Sequence, residues 1–302
     1  MIVDSHMHLG MVAVASCVDT SIEAVLAQMD HLEIDVSIST GTALMFGRPE
    51  AGFEQALQAH RQSGGRIVSY AYFNPHYGEA DLKLVRKCLK HKAFVGIKIY
   101  PGVGCYANDE RWDCIWKLAS ELAVPILTHS WWESDYNPVQ RYSMPNLFER
   151  YVKAYPDVNL VLGHAGGRYE GHRAAAALAR RYANVYMDLS GDSYSFGLVE
   201  WLTEQAGADR VMFGSDLFMI DGRTVMGRIL DADIPLEAKA LILGENAARV
   251  FKLKRYKARA VSEIVTKEEG NYTIDWRVAR QEGSGEMEGA RRATGIPPPE
   301  PS

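Results

Sequence analysis

The chain has 302 residues, more than the roughly 100 to 200 typical of one domain, yet α/β barrels of about 250 residues fold as single units. Its 47% hydrophobic and 24% charged residues describe a globular protein with a sizeable core and exclude disorder throughout. A formal net charge of -5, with no long Lys/Arg block, excludes a field that gathers nucleic acid or anionic lipid and points to small-molecule chemistry. No apolar run approaches the roughly 20 residues of a membrane span, and Asp4, His6 and His8 stand where a signal peptide has a basic start and an apolar middle. The expectation is a cytoplasmic protein that takes a small-molecule substrate and neither nucleic acid nor membrane. Cys17, Cys88, Cys105 and Cys114 lie far apart without a CxxC pair, so reduced, partly buried thiols are expected in place of a zinc knuckle or disulfide framework.

The chain opens on Met-Ile-Val-Asp-Ser-His-Met-His, a short apolar strand that places His6 and His8 on one side, because residues i and i+2 of a strand share a face. Ser21 to Leu32 reads as an amphipathic helix, with Asp19, Thr20 or Ser21 as its cap. Asp35 to Ser39 is a strand, Glu50 to Gln62 a helix stopped by Gly64 and Gly65, Ile67 to Phe73 a strand, and Glu79 to His91 a helix. The alternation continues with a strand at Phe94 to Ile99, a helix at Asn108 to Leu122, a strand at Pro125 to His129 and a helix at Pro145 to Tyr155. Leu160 to His164 is the sixth strand, Glu170 to Tyr182 a helix, Val185 to Leu189 the seventh strand, Gly197 to Ala206 a helix and Arg210 to Phe213 the eighth strand. Pro235 to Leu243 is a closing helix stopped at Gly244, and Glu245 to Phe251 is another.

Strand starts near 2, 35, 66, 94, 125, 159, 185 and 210 give eight evenly spaced βα units, which predict a closed (β/α)8 TIM barrel over residues 1–253. An open doubly wound sheet wants a glycine-rich phosphate turn after its first strand, and His6-Met7-His8 occupies that place. From 254 to 302 the texture changes to alternating charges and a proline-rich end, a tail expected either to be mobile or to cover a neighbouring surface; only Tyr272 to Trp276 hints at a strand.

In such a barrel the active site lies at the carboxyl ends of the strands. His6, His8, Lys98, His129, His164 and Asp216 all fall at or just after a strand end and so converge on one mouth. Uncoordinated imidazoles crowded beside a carboxylate would carry an unrewarded desolvation cost. Three or four nitrogens, a carboxylate and an open position form the ligand set of a catalytic zinc or similar divalent ion. His31, His60, His76 and His91 fall in helices or loops and are expected at the surface.

The stretches at 3–8 (Val-Asp-Ser-His-Met-His), 96–101 (Gly-Ile-Lys-Ile-Tyr-Pro), 126–129 (Ile-Leu-Thr-His), 162–167 (Leu-Gly-His-Ala-Gly-Gly), 213–216 (Phe-Gly-Ser-Asp) and 242–251 (Ile-Leu-Gly-Glu-Asn-Ala-Ala-Arg-Val-Phe) together resemble the amidohydrolase superfamily. Within it they are similar to the branch that includes aminocarboxymuconate-semialdehyde decarboxylase. The resemblance implies that His6, His8, His129 and Asp216 hold the principal metal, Zn2+ or alternatively Mn2+. It makes His164 a second-metal ligand or a general acid/base and oxyanion partner. Lys98 either carries a CO2-derived carboxylate that bridges two ions or, with one ion, faces a substrate carboxylate. Homodimers are common among such proteins, which implies a homodimer here.

A divalent ion lowers the pKa of its bound water to about 7. Asp216 is then both ligand and proton acceptor, and His164 stabilises charge on the substrate oxygen. The first expectation is a hydrolase of an amide, lactone or ester. The alternative is a lyase, a non-oxidative decarboxylase or hydratase, and a third reading is a metal-binding protein without catalysis. Trp131 and Trp132 beside His129 suggest a substrate with a flat face, and Arg48, Arg168, Arg173 and Arg223 are candidates to bind its carboxylate.

Overall fold

The structure, a computed structural model, describes residues 1–10, 19–253, 266–268 and 271–273. Eight strands alternate with helices: β1 (Val3–Leu9), β2 (Val36–Gly41), β3 (Ile67–Phe73), β4 (Phe94–Ile99), β5 (Ile126–His129), β6 (Leu160–Gly163), β7 (Val185–Asp188) and β8 (Val211–Met212). Each pairs in parallel with the next. Bonds from Ser5 N to Phe213 O (3.0 Å) and from Asp216 N to His6 O (2.8 Å) join β1 to the chain leaving β8. This is the (β/α)8 barrel expected from the strand spacing.

Helices cover the outside of the sheet, so the strands are buried along nearly their whole length. Val36, Ile38, Val68, Leu127 and Val161 fill the barrel together with Tyr70, whose ring meets Phe251 edge-on at 5.6 Å. Ala247 and Val250, on the helix Asn246–Val250, and Phe251, its C-cap, belong to the same core cluster. Above this packed layer the barrel interior becomes polar.

A register slip in β1 produces that change. Val3 and Asp4 pair with Val36 and Ser37, but Met7 pairs with Ser39, so β1 holds one extra residue between them. In a regular strand Val3 and His6 would face opposite sides. The bulge re-phases the strand, so Val3 packs in the core while His6 and His8 line the cavity above it.

Ser21 caps the first helix, Ile22–His31, its Oγ accepting from Ala24 N at 3.1 Å. The helix expected from Asn108 begins later, as a 3-10 turn at Glu110–Trp112 followed by Asp113–Leu122. The one expected at 145–155 divides into Pro145–Phe148 and Glu149–Ala154. Gly222–Asp231, capped by Asp221, is a helix that the strand rhythm did not predict. Gly244 stops nothing: the chain runs from Leu236–Ala240 through a π-turn at Leu241–Glu245 into Asn246–Val250. Its real role is close approach, because a Cβ there would collide with the Met1 carbonyl oxygen.

Beyond 253 the described residues are Thr266–Glu268 and Asn271–Thr273, an antiparallel pair that takes in the first two positions of the strand hint at 272–276. Cys17 and the rest of the charged tail lie outside the described residues; Cys88, Cys105 and Cys114 are free thiols. No helix among the described residues is long and apolar enough to cross a membrane.

Candidate metal centre

The six side chains singled out by the strand-end rule all line one cavity of about 640 Å³ at the carboxyl end of the barrel. His6 and His8 come from β1, Lys98 is the penultimate residue of β4, His129 ends β5, His164 follows β6 and Asp216 follows β8. His164 and Asp216 both have left-handed backbones (φ 63° and 59°), a conformation that side chains disfavour and that gathers at functional sites. Gly214 makes room for His6: a Cβ there would lie 2.8 Å from His6 Cβ and 3.3 Å from Asp188 Cγ.

His6, His8 and Asp216 bring ligand atoms to within 4.8 Å of one another. Asp216 Oδ1 lies 3.2 Å from His8 Nε2 and 3.9 Å from His6 Nε2. Yet it is buried and has no aligned hydrogen-bond donor. A buried carboxylate oxygen without a donor is costly unless a cation occupies its field, so this donor set fits a divalent ion. Burial by itself would raise the Asp216 pKa, but His8, His164 and His6 hold it well below the usual carboxylate range.

The other side of His6 is equally built. Its Nδ1 lies 2.9 Å from Asp188 Oδ2 and 2.9 Å from Ser190 Oγ, while its Nε2 faces Lys98 Nζ at 2.9 Å. Burial, then the Lys98 charge, lower the His6 pKa. Asp188 is fully buried; burial would raise its pKa, but His6, His164 and Ser190 hold it down. Lys98 is 2% exposed, which removes any reading of it as a solvated amine. Burial pushes its pKa down to about 8 against the pull of Asp188 and Asp216.

His164 Nε2 lies 3.0 Å from His129 Nδ1, and His129 Nε2 lies 2.7 Å from the Gln140 amide. His129 therefore shares the cavity, but both its nitrogens are engaged and it stands outside the close His6–His8–Asp216 group. Burial pushes the His164 pKa down to about 4, and burial together with His164 takes His129 well below its ordinary value.

Trp131 lies parallel to His129, ring centres 6.1 Å apart, and forms a wall of the cavity; Trp132 does not line it. Of the four arginines only Arg168 lines the cavity, paired with Asp192 and 5.9 Å over Trp131. Arg173 and Arg223 are paired to Glu170 and Asp221. His31, His76 and His91 are exposed as expected, and His60 is half-buried against Ile67 O.

The sequence reading missed Asp188, Ser190, Gln140 and the buried His172, whose Nδ1 meets Ala165 O at 2.9 Å. Asp188 ends β7 and met the strand-end criterion; the signal was there. Asp4 was also overlooked: it accepts from Ser215 N (2.9 Å) and His6 N (3.2 Å) and so ties the two ligand-bearing segments together. Gln140 sits in a 3-10 turn that no periodicity marks.

A sequence comparison with curated proteins returns no match. Among solved structures, 5-carboxyvanillate decarboxylase LigW from Sphingomonas paucimobilis superposes with a TM-score of 0.63 at 18% identity, over 83% of this chain and 98% of that one. 2,6-Dihydroxybenzoate decarboxylase from Rhizobium gives 0.64 at 17% identity, with 83% and 98% covered. 5-Carboxyvanillate decarboxylase from Novosphingobium aromaticivorans, solved with manganese and 4-hydroxy-3-methoxy-5-nitrobenzoic acid, gives 0.66 at 15% identity, with 83% and 96% covered. These likenesses bear on the fold. The sequence itself matches the amidohydrolase family model from residue 3 to residue 253, and on that span the chain belongs to the amidohydrolase family.

Proposed function

We propose that this chain is a divalent-metal-dependent lyase that removes CO2 from a small aromatic carboxylic acid without an oxidant. The observation that carries this reading is the cavity itself, with Trp131, Phe46, Met219 and Ile220 on its walls and His6, His8, Asp216 and Lys98 in the same pocket. An apolar pocket with a few convergent polar groups suits a flat acid. The decarboxylases among the structural neighbours support the same substrate class.

His6, His8 and Asp216 would hold the ion; His129, the fourth ligand that the sequence suggests, stands on the same wall but gives both its nitrogens to His164 and Gln140. Nitrogen and carboxylate donors suit Zn2+, and the neighbour solved with manganese supports Mn2+ as the alternative. When bound, such an ion supplies a Lewis acid to the substrate's oxygens. Lys98, protonated at neutral pH and shielded from water, offers a fixed positive charge to the carboxylate. Trp131 supports the ring. His164, neutral at pH 7, lines the same pocket beside the acid. The bond between ring and carboxylate breaks, its electron pair stays on the ring carbon and CO2 leaves. The replacing proton comes from water by way of Asp216, whose carboxylate is ionised at neutral pH and so serves as a relay between that water and the ring carbon.

The test is CO2 release from hydroxybenzoates and carboxyvanillate-like acids by protein loaded with Zn2+ or Mn2+. The expected result is release that stops on chelation. Turnover of lactones or amides, with no CO2 from any aromatic acid, would contradict the lyase and return the site to hydrolysis.

A further inference from the structure

Ser190 and Asp188 lie behind the proposed metal ligand His6, and their hydrogen bonds admit one arrangement of protons. Asp188 Oδ1 accepts from the backbone N–H of His164 (2.9 Å) and of Ser190 (3.0 Å), so it carries no hydrogen of its own. The Ser190 hydroxyl is in close contact with the same oxygen and therefore donates its single hydrogen there. Ser190 Oγ also lies 2.9 Å from Nδ1 of His6 and 2.9 Å from Nδ1 of His164. With its own hydrogen already given, it can only accept at both.

We infer that Ser190 and Asp188 are positioning residues that together fix His6 and His164 in the same tautomer, each with hydrogen on Nδ1 and a bare Nε2 turned to the cavity. A separate contact agrees. Lys98 Nζ lies 2.9 Å from His6 Nε2, and an ammonium only donates, so that nitrogen presents a lone pair. On the other branch His129 gives its Nδ1 hydrogen to His164 Nε2 across 3.0 Å, leaving its own Nε2 bare. The Gln140 amide, whose near end is 2.7 Å away, then meets that nitrogen with its N–H, since the two ends of a glutamine amide are told apart only by their partners. The Asp188–Ser190 pair thus presets three imidazoles, and His164 is an acceptor in place of an oxyanion donor. The arrangement rests on the metal site of the proposed function and holds whichever substrate class the site takes.

Long-range 1H–15N spectra of the metal-free, histidine-labelled protein at neutral pH test it. His6 and His164 are both expected as Nδ1–H tautomers. In Ser190→Ala, His164 should lose that pattern while His6, still held by Asp188, keeps it. Turnover by the metal-loaded variant should fall roughly 10- to 100-fold, the range seen when a group that orients a ligand is removed. A wild-type His164 that carries its hydrogen on Nε2, or a His164 signal unchanged in Ser190→Ala, would overturn the assignment. The spectra decide this even if no aromatic acid is decarboxylated, so failure of the tautomer lock and failure of the lyase are distinct results.

Discussion

Asp216 and Asp188 face His6 from opposite sides and serve it differently. Asp216 turns an unpartnered oxygen to the imidazole's Nε2, where a cation belongs, while Asp188 accepts from Nδ1 and sets the ring's orientation. Lys98 is the third neighbour of that ring, and its role separates the one-ion from the two-ion site. If it faces a substrate carboxylate, Lys98→Met leaves metal content unchanged and lowers kcat/KM on an aromatic acid on the order of 100-fold, the scale for losing one partner of a buried charge pair. Loss of metal together with activity would show instead that the lysine helps to hold ions. At this scale the sequence exposed the imidazoles because a histidine at a strand end is conspicuous. It hid Ser190 and Gln140, whose importance lies in which hydrogens they give and take.

Strand order and spacing were legible because a barrel strand buried on both faces leaves a compact apolar run, and all eight strands begin within one residue of their expected starts. Glycine was less legible, since the same residue serves as a stop and as a place for close approach. Gly214 and Gly244 both belong to the second class, but against different neighbours. Gly214→Ala should press on His6 and weaken metal binding, measurable by calorimetric titration. Gly244→Ala should press on the Met1 carbonyl and cost about 1–3 kcal/mol of stability, as overpacking does, with metal affinity unchanged in the folded protein. Equal metal affinity in the two variants would contradict the placement of Gly214. The helix Gly222–Asp231 carries apolar Val225, Met226, Ile229 and Leu230 at helical spacing, but Gly222 and Gly227 weaken its propensity and the strand rhythm passes over it.

For the whole molecule, the barrel gathers groups from positions 6 to 216 and holds them nearly free of water, with a consequence for stability. The pKa values of His6, His129 and His164 lie below those of the unfolded chain, so the unfolded state binds more protons below about pH 6.5 and stability falls on acidification. For the metal-free protein a Tm lower by roughly 5–10 °C at pH 4.5 than at pH 6.5 is expected. His164→Ala should flatten that slope, and a Tm independent of pH in this window would contradict the neutral, buried imidazoles. The most direct test of the convergence is elemental analysis of ions per chain, in the wild type and in Asp216→Asn. The account predicts one divalent ion per wild-type chain, removable by chelator, and none in a folded Asp216→Asn variant. A wild-type protein that takes up no divalent ion, or a variant that keeps its full complement, would contradict it.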